Sequence, residues 1–296
     1  IYFPFFGQNM NLKDILTKAN KESWALGHFN VFNLELLKAV VEAAKEARSP
    51  VMIGTSEGER EWLGLKSMVA LTRVYREDWP HIFLNADHTK SVEAALSAVE
   101  AGYDSVHFDG SALSISQNIS QTREVAERVH DKNPNVSVEG ELGYLRGESQ
   151  LSNKKIKINP SDYTDPEEAA EFAERTGVDR LAIAIGNVHG INLDEPRLDF
   201  DRLKEIRRAV AENVTLVLHA GSGIVDDDIK KAIAAGIGNI HISTELRVLF
   251  RKGLEAGLKS NPGEYALYKL EKETMRGVQD LIRQKLRLFG SANKAI

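Results

Sequence analysis

Three short apolar runs in this chain each lead to a histidine. They are Ile82-Phe83-Leu84-Asn85-Ala86-Asp87-His88, Leu181-Ala182-Ile183-Ala184-Ile185-Gly186-Asn187-Val188-His189 and Leu216-Val217-Leu218-His219. The last runs on into Ala220-Gly221-Ser222-Gly223. A strand that ends on a polar side chain and a glycine-rich turn is how a barrel enzyme builds a site at one face. A single strand-end histidine is commonly a hydrogen-bonded structural residue. His88, His189 and His219 on three separate ends read instead as a ligand set. Three neutral imidazoles bind zinc and leave a coordination position open. That open position lets the ion polarise a substrate carbonyl.

Carboxylates stand beside these histidines. Asp87 precedes His88 and can exchange a proton with a developing alkoxide; the alternative is a cap for the next helix. Glu141, in Val138-Glu139-Gly140-Glu141, is a fourth or exchangeable ligand, or else a carboxylate holding a histidine's other nitrogen. Asp109 is a further strand-end carboxylate with a supporting role. Gly190, Gly221, Ser222, Gly223, Ser243 and Thr244 are small or hydroxylic and sit where turns meet helix starts. Backbone N–H groups in such turns cradle phosphate.

Eight strand-like runs can deliver these residues: 25–33, 51–56, 82–88, 105–111, 137–143, 180–187, 216–223 and 239–245. Helical periodicity follows most of them. Leu36, Leu37, Val40, Val41 and Ala44 share one face, and Asp165-Pro166-Glu167-Glu168 is a helix start with cap, proline and acids in order. Eight alternations in 296 residues predict a closed (β/α)8 TIM barrel. An open doubly wound sheet is the runner-up, but no early G-x-G-x-x-G supports it. Residues 144–164 read as a polar, irregular loop on the active face, a lid candidate. Helical sequence over 245–260 and 264–288 exceeds what eight strands need and is available for capping or subunit contacts. Residues 1–9 read as an N-terminal extension, and 10–296 as one domain.

Composition narrows the chemistry. There is no cysteine, so thiolate nucleophiles, cysteine metal sites and disulfides are excluded; a cytoplasmic location is expected. Net charge is −5, with no basic block or aromatic-interleaved basic stripe, so no nucleic-acid partner is expected. No apolar run approaches the ~18 residues of a membrane span.

Together these residues resemble the class II, metal-dependent fructose-bisphosphate and tagatose-bisphosphate aldolases, from about Met10 onward. The motifs are Gly27-His28-Phe29-Asn30-Val31, Thr55-Ser56-Glu57-Gly58, Ala86-Asp87-His88, His107-Phe108-Asp109-Gly110-Ser111, Glu139-Gly140-Glu141, Gly186-Asn187-Val188-His189-Gly190 and His219-Ala220-Gly221-Ser222-Gly223. The resemblance implies a (β/α)8 barrel and zinc, or another divalent ion, on His88, His189 and His219, with Glu141 as alternate ligand. It implies Asp87 as the acid–base group and Asn30 and Ser56 near the reacting carbons. The phosphate of dihydroxyacetone phosphate would lie on Gly190, Gly221, Ser222, Ser243 and Thr244, with Na+ or K+ beside it. A homodimer or homotetramer acting on a sugar phosphate is the expected assembly. Class I aldolases use a lysine Schiff base instead, and no lysine occurs in 180–187.

The chain departs from the family pattern in places. A family asparagine on the eighth strand is His241, and Ser243 stands where relatives have Asp or Ala. Thr89-Lys90 follows Asp87-His88. The loop reads Arg146-Gly147-Glu148-Ser149-Gln150 where many relatives carry paired glutamates, leaving Glu148 for the proton relay to carbon. An expected Asp-Pro-Arg is Asn261-Pro262-Gly263, which removes an arginine from the distal phosphate; Lys90 or Arg146 would replace it. Two other readings stand beside the aldolase. A metal-dependent barrel hydrolase usually has His-x-His on strand one, where this chain has His28 alone. A catalytically silent assembly subunit is the other, against which stand the three histidines and Asp87.

Overall fold

The protein is described from a computed structural model covering residues 10–152, 155–192 and 197–295. The expected extension over residues 1–9 lies outside the described residues, as do Asn153 and Lys154 of the 144–164 loop. The strands are β1 (Leu26–Asn30), β2 (Val51–Thr55), β3 (Ile82–Thr89), β4 (Ser105–Phe108), β5 (Ser137–Leu142), β6 (Gly147–Leu151), β7 (Arg180–Ile183), β8 (His189–Ile191), β9 (Thr215–Leu218) and β10 (Ile237–Ile242). Eight of them close a parallel barrel in the order β1-β10-β9-β7-β5-β4-β3-β2, as the eight runs predict. β6 and β8 form a separate two-stranded sheet.

The helices are α1 (Leu12–Glu22), α2 (Leu34–Glu46), α3 (Glu57–Leu63), α4 (Leu65–Asp78), α5 (Val92–Ala101), α6 (Ile115–Lys132), α7 (Pro166–Thr176), α8 (Phe200–Ala209), α9 (Asp226–Ala234), α10 (Thr244–Ser260), α11 (Leu267–Leu270) and α12 (Lys272–Leu288). Asp165 caps α7 through bonds from Glu167 N and Glu168 N. The stretch expected as one helix over 264–288 is two, α11 and α12. α12 packs on α2 and α10 and so completes the helical ring. No described helix is long and apolar enough to cross a membrane.

Alternation along each strand divides the residues between two environments. Val106 and Phe108, Leu181 and Ile183, Ile240 and Ile242 face the helices and belong to the main apolar core. The alternate residues point into the barrel. There Arg180 of β7 reaches Ser105 of β4, Asn85 of β3 and Asn239 of β10. Those bonds span the bore, so the barrel is filled by polar side chains rather than branched apolar ones. Its lower end is sealed by α1, whose Leu12, Ile15, Leu16 and Ala19 pack on Trp24, Leu26, Met52 and Phe83.

Two expectations on element limits need correction. The 144–164 stretch is not wholly irregular. Gly147–Leu151 pairs with His189–Ile191, because Gly147 and Gly190 let two backbones approach closely. A Cβ on Gly190 would lie 2.5 Å from Glu148 O and 2.6 Å from Gln150 O. The sixth barrel strand ends at Ile183, so His189 does not sit on its end; it opens β8, outside the barrel.

Candidate active site

At the C-terminal mouth of the barrel, a narrow cavity of about 50 Å³ is lined by Asn30, Ser56, Asp87, His88, His189, Gly190, His219, Ser222, His241, Ser243, Thr244 and Arg247, among others. A larger hollow of about 750 Å³ lies at the opposite end, near Lys21 and Arg207. It holds none of the histidines, so size does not locate the chemistry here.

Asp87 and His88 both reach the cavity although strand neighbours ordinarily face opposite ways. The reason is backbone: His88 has φ +44°, in the left-handed region. That conformation costs a non-glycine residue roughly 1–2 kcal/mol, and such outliers cluster where function needs them. His88 N donates to His107 Nδ1 at 3.2 Å, which helps hold the turn.

The imidazoles are oriented by carboxylates. His88 Nδ1 lies 2.9 Å from Asp109 Oδ2. His219 Nε2 lies 2.6 Å from Glu139 Oε1. A carboxylate accepts, so each of these nitrogens carries the proton and leaves the other with a lone pair. The two remaining nitrogens, His88 Nε2 and His219 Nδ1, face each other at 3.3 Å. Either a proton on one of them or a cation between them satisfies such a pair. His189 adds its ring 5.3 Å from that of His88, centroid to centroid.

The electrostatics put a proton in that position, on His88. His88 is buried, which disfavours its charge, yet the adjacent Asp87 carboxylate and the Asp109 bond raise it to about 9. His219 and His189 are pushed down to about 4, chiefly by burial. Burial opposes ionisation of Asp87 too, but His88, His107 and His241 hold it well below the ordinary carboxylate range. The pocket is thus a place where one positive charge is drawn among neutral imidazoles. His88 and His219, with nitrogens facing each other at 3.3 Å, are a donor pair that suits a divalent ion. His88, His219, Asp87 and His107 offer ligand atoms within 4.8 Å of one another; His189 is not in that compact group.

Asp87 Oδ2 accepts from Asn30 Nδ2 at 2.9 Å, and the same nitrogen also donates to Glu59 Oε2 at 3.2 Å. Asp87 Oδ1 has no hydrogen-bond partner and is buried, 3.6 Å from His107 Nδ1 and 3.4 Å from His241 Nδ1. Glu141 lies below the cavity rather than in its lining. Its Oε2 is 3.2 Å from His107 Nε2 and 3.8 Å from His88 Nδ1, the side of that ring turned toward Asp109. His241 stacks on His28 with centroids 3.6 Å apart, and burial brings His241 down to about 3. Gly54 makes room for this pair: a Cβ there would lie 2.1 Å from His28 Cε1.

The expected phosphate cradle is only partly free. Gly221 N–H is bonded to His241 O, and Gly223 N–H to Glu245 Oε1. Ser222 Oγ accepts from Ser243 N and Glu245 N at 3.3 Å each, tying this turn to the start of α10. Ser243 Oγ is buried without a partner in the described structure and lines the cavity with Thr244 at the helix N-terminus. Ser56 also lines it, its N–H bonded to Glu59 Oε2. Gly221 itself does not line the cavity.

Some expectations are not met. Glu148 is exposed on β6 and its carboxylate accepts from Gln150, so it is not brought to the cavity; Ser149 is. Arg146 is bound in a fork by Asp162, at 2.5 and 2.9 Å. Lys90 is exposed, and Asn261, Pro262 and Gly263 lie exposed on the turn after α10. The cation that lines the cavity is Arg247, one turn into α10, which bonds Glu59 Oε1 at 2.6 Å and Ser149 O at 3.3 Å. Arg247, Glu59, His107, Glu139 and Arg180 were not singled out from the sequence. The available signal was polar residues two apart, as in Ser105-x-His107, Ser137-x-Glu139-x-Glu141 and Asn239-x-His241.

Comparison with known proteins agrees with this geometry. The sequence profile of the family described as "Fructose-bisphosphate aldolase class-II" matches residues 10–294. The chain is 38% identical over 286 residues to the sulfofructosephosphate aldolase of Alkalicoccus urumqiensis, covering 96% of this chain and 97% of that one. It is 34% identical over 290 residues to the fructose-bisphosphate aldolase of Geobacillus stearothermophilus, covering 97% and 98%. Its fold superposes on the crystal structure of the YdjI aldolase from Escherichia coli K12 with TM-score 0.80 at 35% identity, covering 97% and 99%.

Proposed function

The chain belongs to the class II fructose-bisphosphate aldolase family, and on that ground we propose that it reversibly cleaves a ketose phosphate or bisphosphate, such as fructose or tagatose 1,6-bisphosphate, to dihydroxyacetone phosphate and an aldehyde. Zinc on His88, His189 and His219 is the metal of this reading. When bound, it supplies electrophilic stabilisation of the negative charge left when the C3–C4 bond breaks. The observation that carries the reading is the pair of facing nitrogens, 3.3 Å apart, whose partners on each ring are committed to Asp109 and Glu139.

The protein's own groups do the rest. Asp87, ionised and held by Asn30, takes the C4 hydroxyl proton in cleavage and returns it in condensation. Ser222, in the turn after β9, and Ser243 and Thr244, at the start of α10, receive the phosphate of the dihydroxyacetone half. Arg247 faces the other half from the rim.

The second anion has two candidates, and one observation favours the less common. Arg247 shares its charge with Glu59, which suits a singly charged sulfonate better than a doubly charged phosphate. The 38% identity to a protein named sulfofructosephosphate aldolase points the same way. The test is a cleavage screen of fructose 1,6-bisphosphate, tagatose 1,6-bisphosphate and 6-deoxy-6-sulfofructose 1-phosphate, detecting dihydroxyacetone phosphate with and without a chelator. Chelator-sensitive release from one of these supports the proposal. Release that survives complete metal removal contradicts it.

A further inference from the structure

We infer that Arg180, deep in the barrel and out of reach of any substrate, is a positioning residue for the metal: it fixes Glu139, which in turn fixes the ring of His219. This rests on the metal reading of His88, His189 and His219 proposed above.

Arg180 and Glu139 are register partners on β7 and β5, and both are fully buried. Arg180 Nη1 lies 2.6 Å from Glu139 Oε2. The contact is an ion pair rather than an aligned hydrogen bond, since Oε2 has no hydrogen-bond partner. The guanidinium cannot turn toward or away from the carboxylate. Its Nε donates to Ser137 Oγ at 3.1 Å, Nη1 to Asn239 Oδ1 at 2.9 Å, and Nη2 to Asn85 Oδ1 and to Ser105 Oγ. Four barrel strands therefore hold one fork in place, and the fork fixes one oxygen of Glu139. The other oxygen, Oε1, is then presented to His219 Nε2 at 2.6 Å.

The consequence reaches the cavity through one ring. With Nε2 committed to Glu139, His219 must offer Nδ1, the nitrogen that faces His88 Nε2. A carboxylate behind a ligating imidazole sets its tautomer and orientation, and losing such a partner typically lowers metal affinity 10- to 100-fold. Here the carboxylate has its own orienting group. Without Arg180, Glu139 would keep only its bond to His219 and could swing toward His107 or His241, each already 3.9 Å away.

The measurement is the zinc dissociation constant of the intact protein, by competition with a chromophoric chelator, alongside thermal melts of the metal-free forms. Arg180→Met should raise the constant by about 10- to 100-fold. In a Glu139→Gln background the same change should add less than about twofold, because groups acting in series are not additive. Arg180→Lys keeps a charge but loses the fork; should Arg180→Met not fold, it decides alone, with a rise of about fivefold or more expected. An unchanged zinc constant in a folded Arg180 variant, even with a lower melting temperature, would overturn the inference. So would full additivity with Glu139→Gln. A wild type that binds no zinc would overturn the metal reading itself and this inference with it.

Discussion

The inside of the barrel and the layer outside it are built from the same strands and solve opposite problems. Outside, Val138, Leu181, Ile183, Leu216, Leu218, Ile240 and Ile242 bury apolar surface against the helices. That layer holds the fold together by burial and close packing. Inside, one residue along on each strand, stand His28, Asn85, His107, Glu139, Arg180, Asn239 and His241, all buried. Burying so many polar groups stabilises nothing unless each finds a partner. Several do not: His28 Nδ1, Asp87 Oδ1, Glu141 Oε2 and His241 Nδ1 are buried without hydrogen bonds. The apolar layer is what lets the fold tolerate such a bore. Changes to the outer layer should therefore alter stability and leave the site's affinities alone. Changes to the bore should move the site's affinities, whatever they do to stability.

The largest expected effect is on the outer layer. Phe172 is fully buried against Gly140, where a Cβ would come within 2.7 Å of its ring. Phe172→Ala should cost about 3–5 kcal/mol in denaturant unfolding, while zinc affinity of the folded protein stays unchanged. A large loss of zinc affinity in that variant would break the division drawn above.

Asp87→Ala probes the bore side. Cleavage should fall by roughly 100-fold or more, the range for removing a positioned acid–base group, with zinc retained. Proton exchange at the carbon of dihydroxyacetone phosphate does not need the C4 hydroxyl proton to move and should survive better. Equal loss of both reactions in a kinetic and isotope-exchange assay would place Asp87 in another role.

A smaller effect belongs to a charge at the barrel's foot. Asp179 is largely buried, which opposes its ionisation, but bonds from His130, Lys13 and Val138 N hold its pKa below the ordinary value. A depressed carboxyl contributes stability above its unfolded pKa of about 3.9 and loses it as pH falls. Asp179→Asn should thus cost about 1.5 kcal/mol at neutral pH. The gap to wild type should close below about pH 4, read from urea melts across pH. A gap that stays constant with pH would remove the linkage.

Smallest is the rim. Arg247→Ala should raise KM for the doubly anionic ketose by about tenfold, near 1.4 kcal/mol, and leave zinc content unchanged. If KM does not move, the second anion is held elsewhere.

Much of this was legible in the sequence, and the reasons for the remainder are physical. The eight barrel strands, and the delivery of His88 and His219 by their ends, follow from apolar runs that stop at polar residues and glycines. Asp87 facing the same cavity as His88 does not follow, because it depends on the left-handed backbone at His88. His189 belongs to a strand beyond the barrel, and apolar character through Ile185 hides where β7 stops. The polar bore was written in every-second-residue alternation. Which residues meet inside it, as Arg180 meets Glu139, is set by strand register, which a single strand's pattern does not carry. Arg247 depends on the rotational phase of α10 at the mouth, and Glu148 and Ser149 exchange places according to the pairing of β6 with β8.

The most direct test of the account is the zinc content of wild type and His219→Ala, measured by elemental analysis after desalting and paired with the cleavage rate. His219→Ala should keep a folded barrel but lose tightly bound zinc and cleavage together, because the remaining two imidazoles cannot complete the site. A His219→Ala protein that retains stoichiometric zinc and the full rate would contradict it.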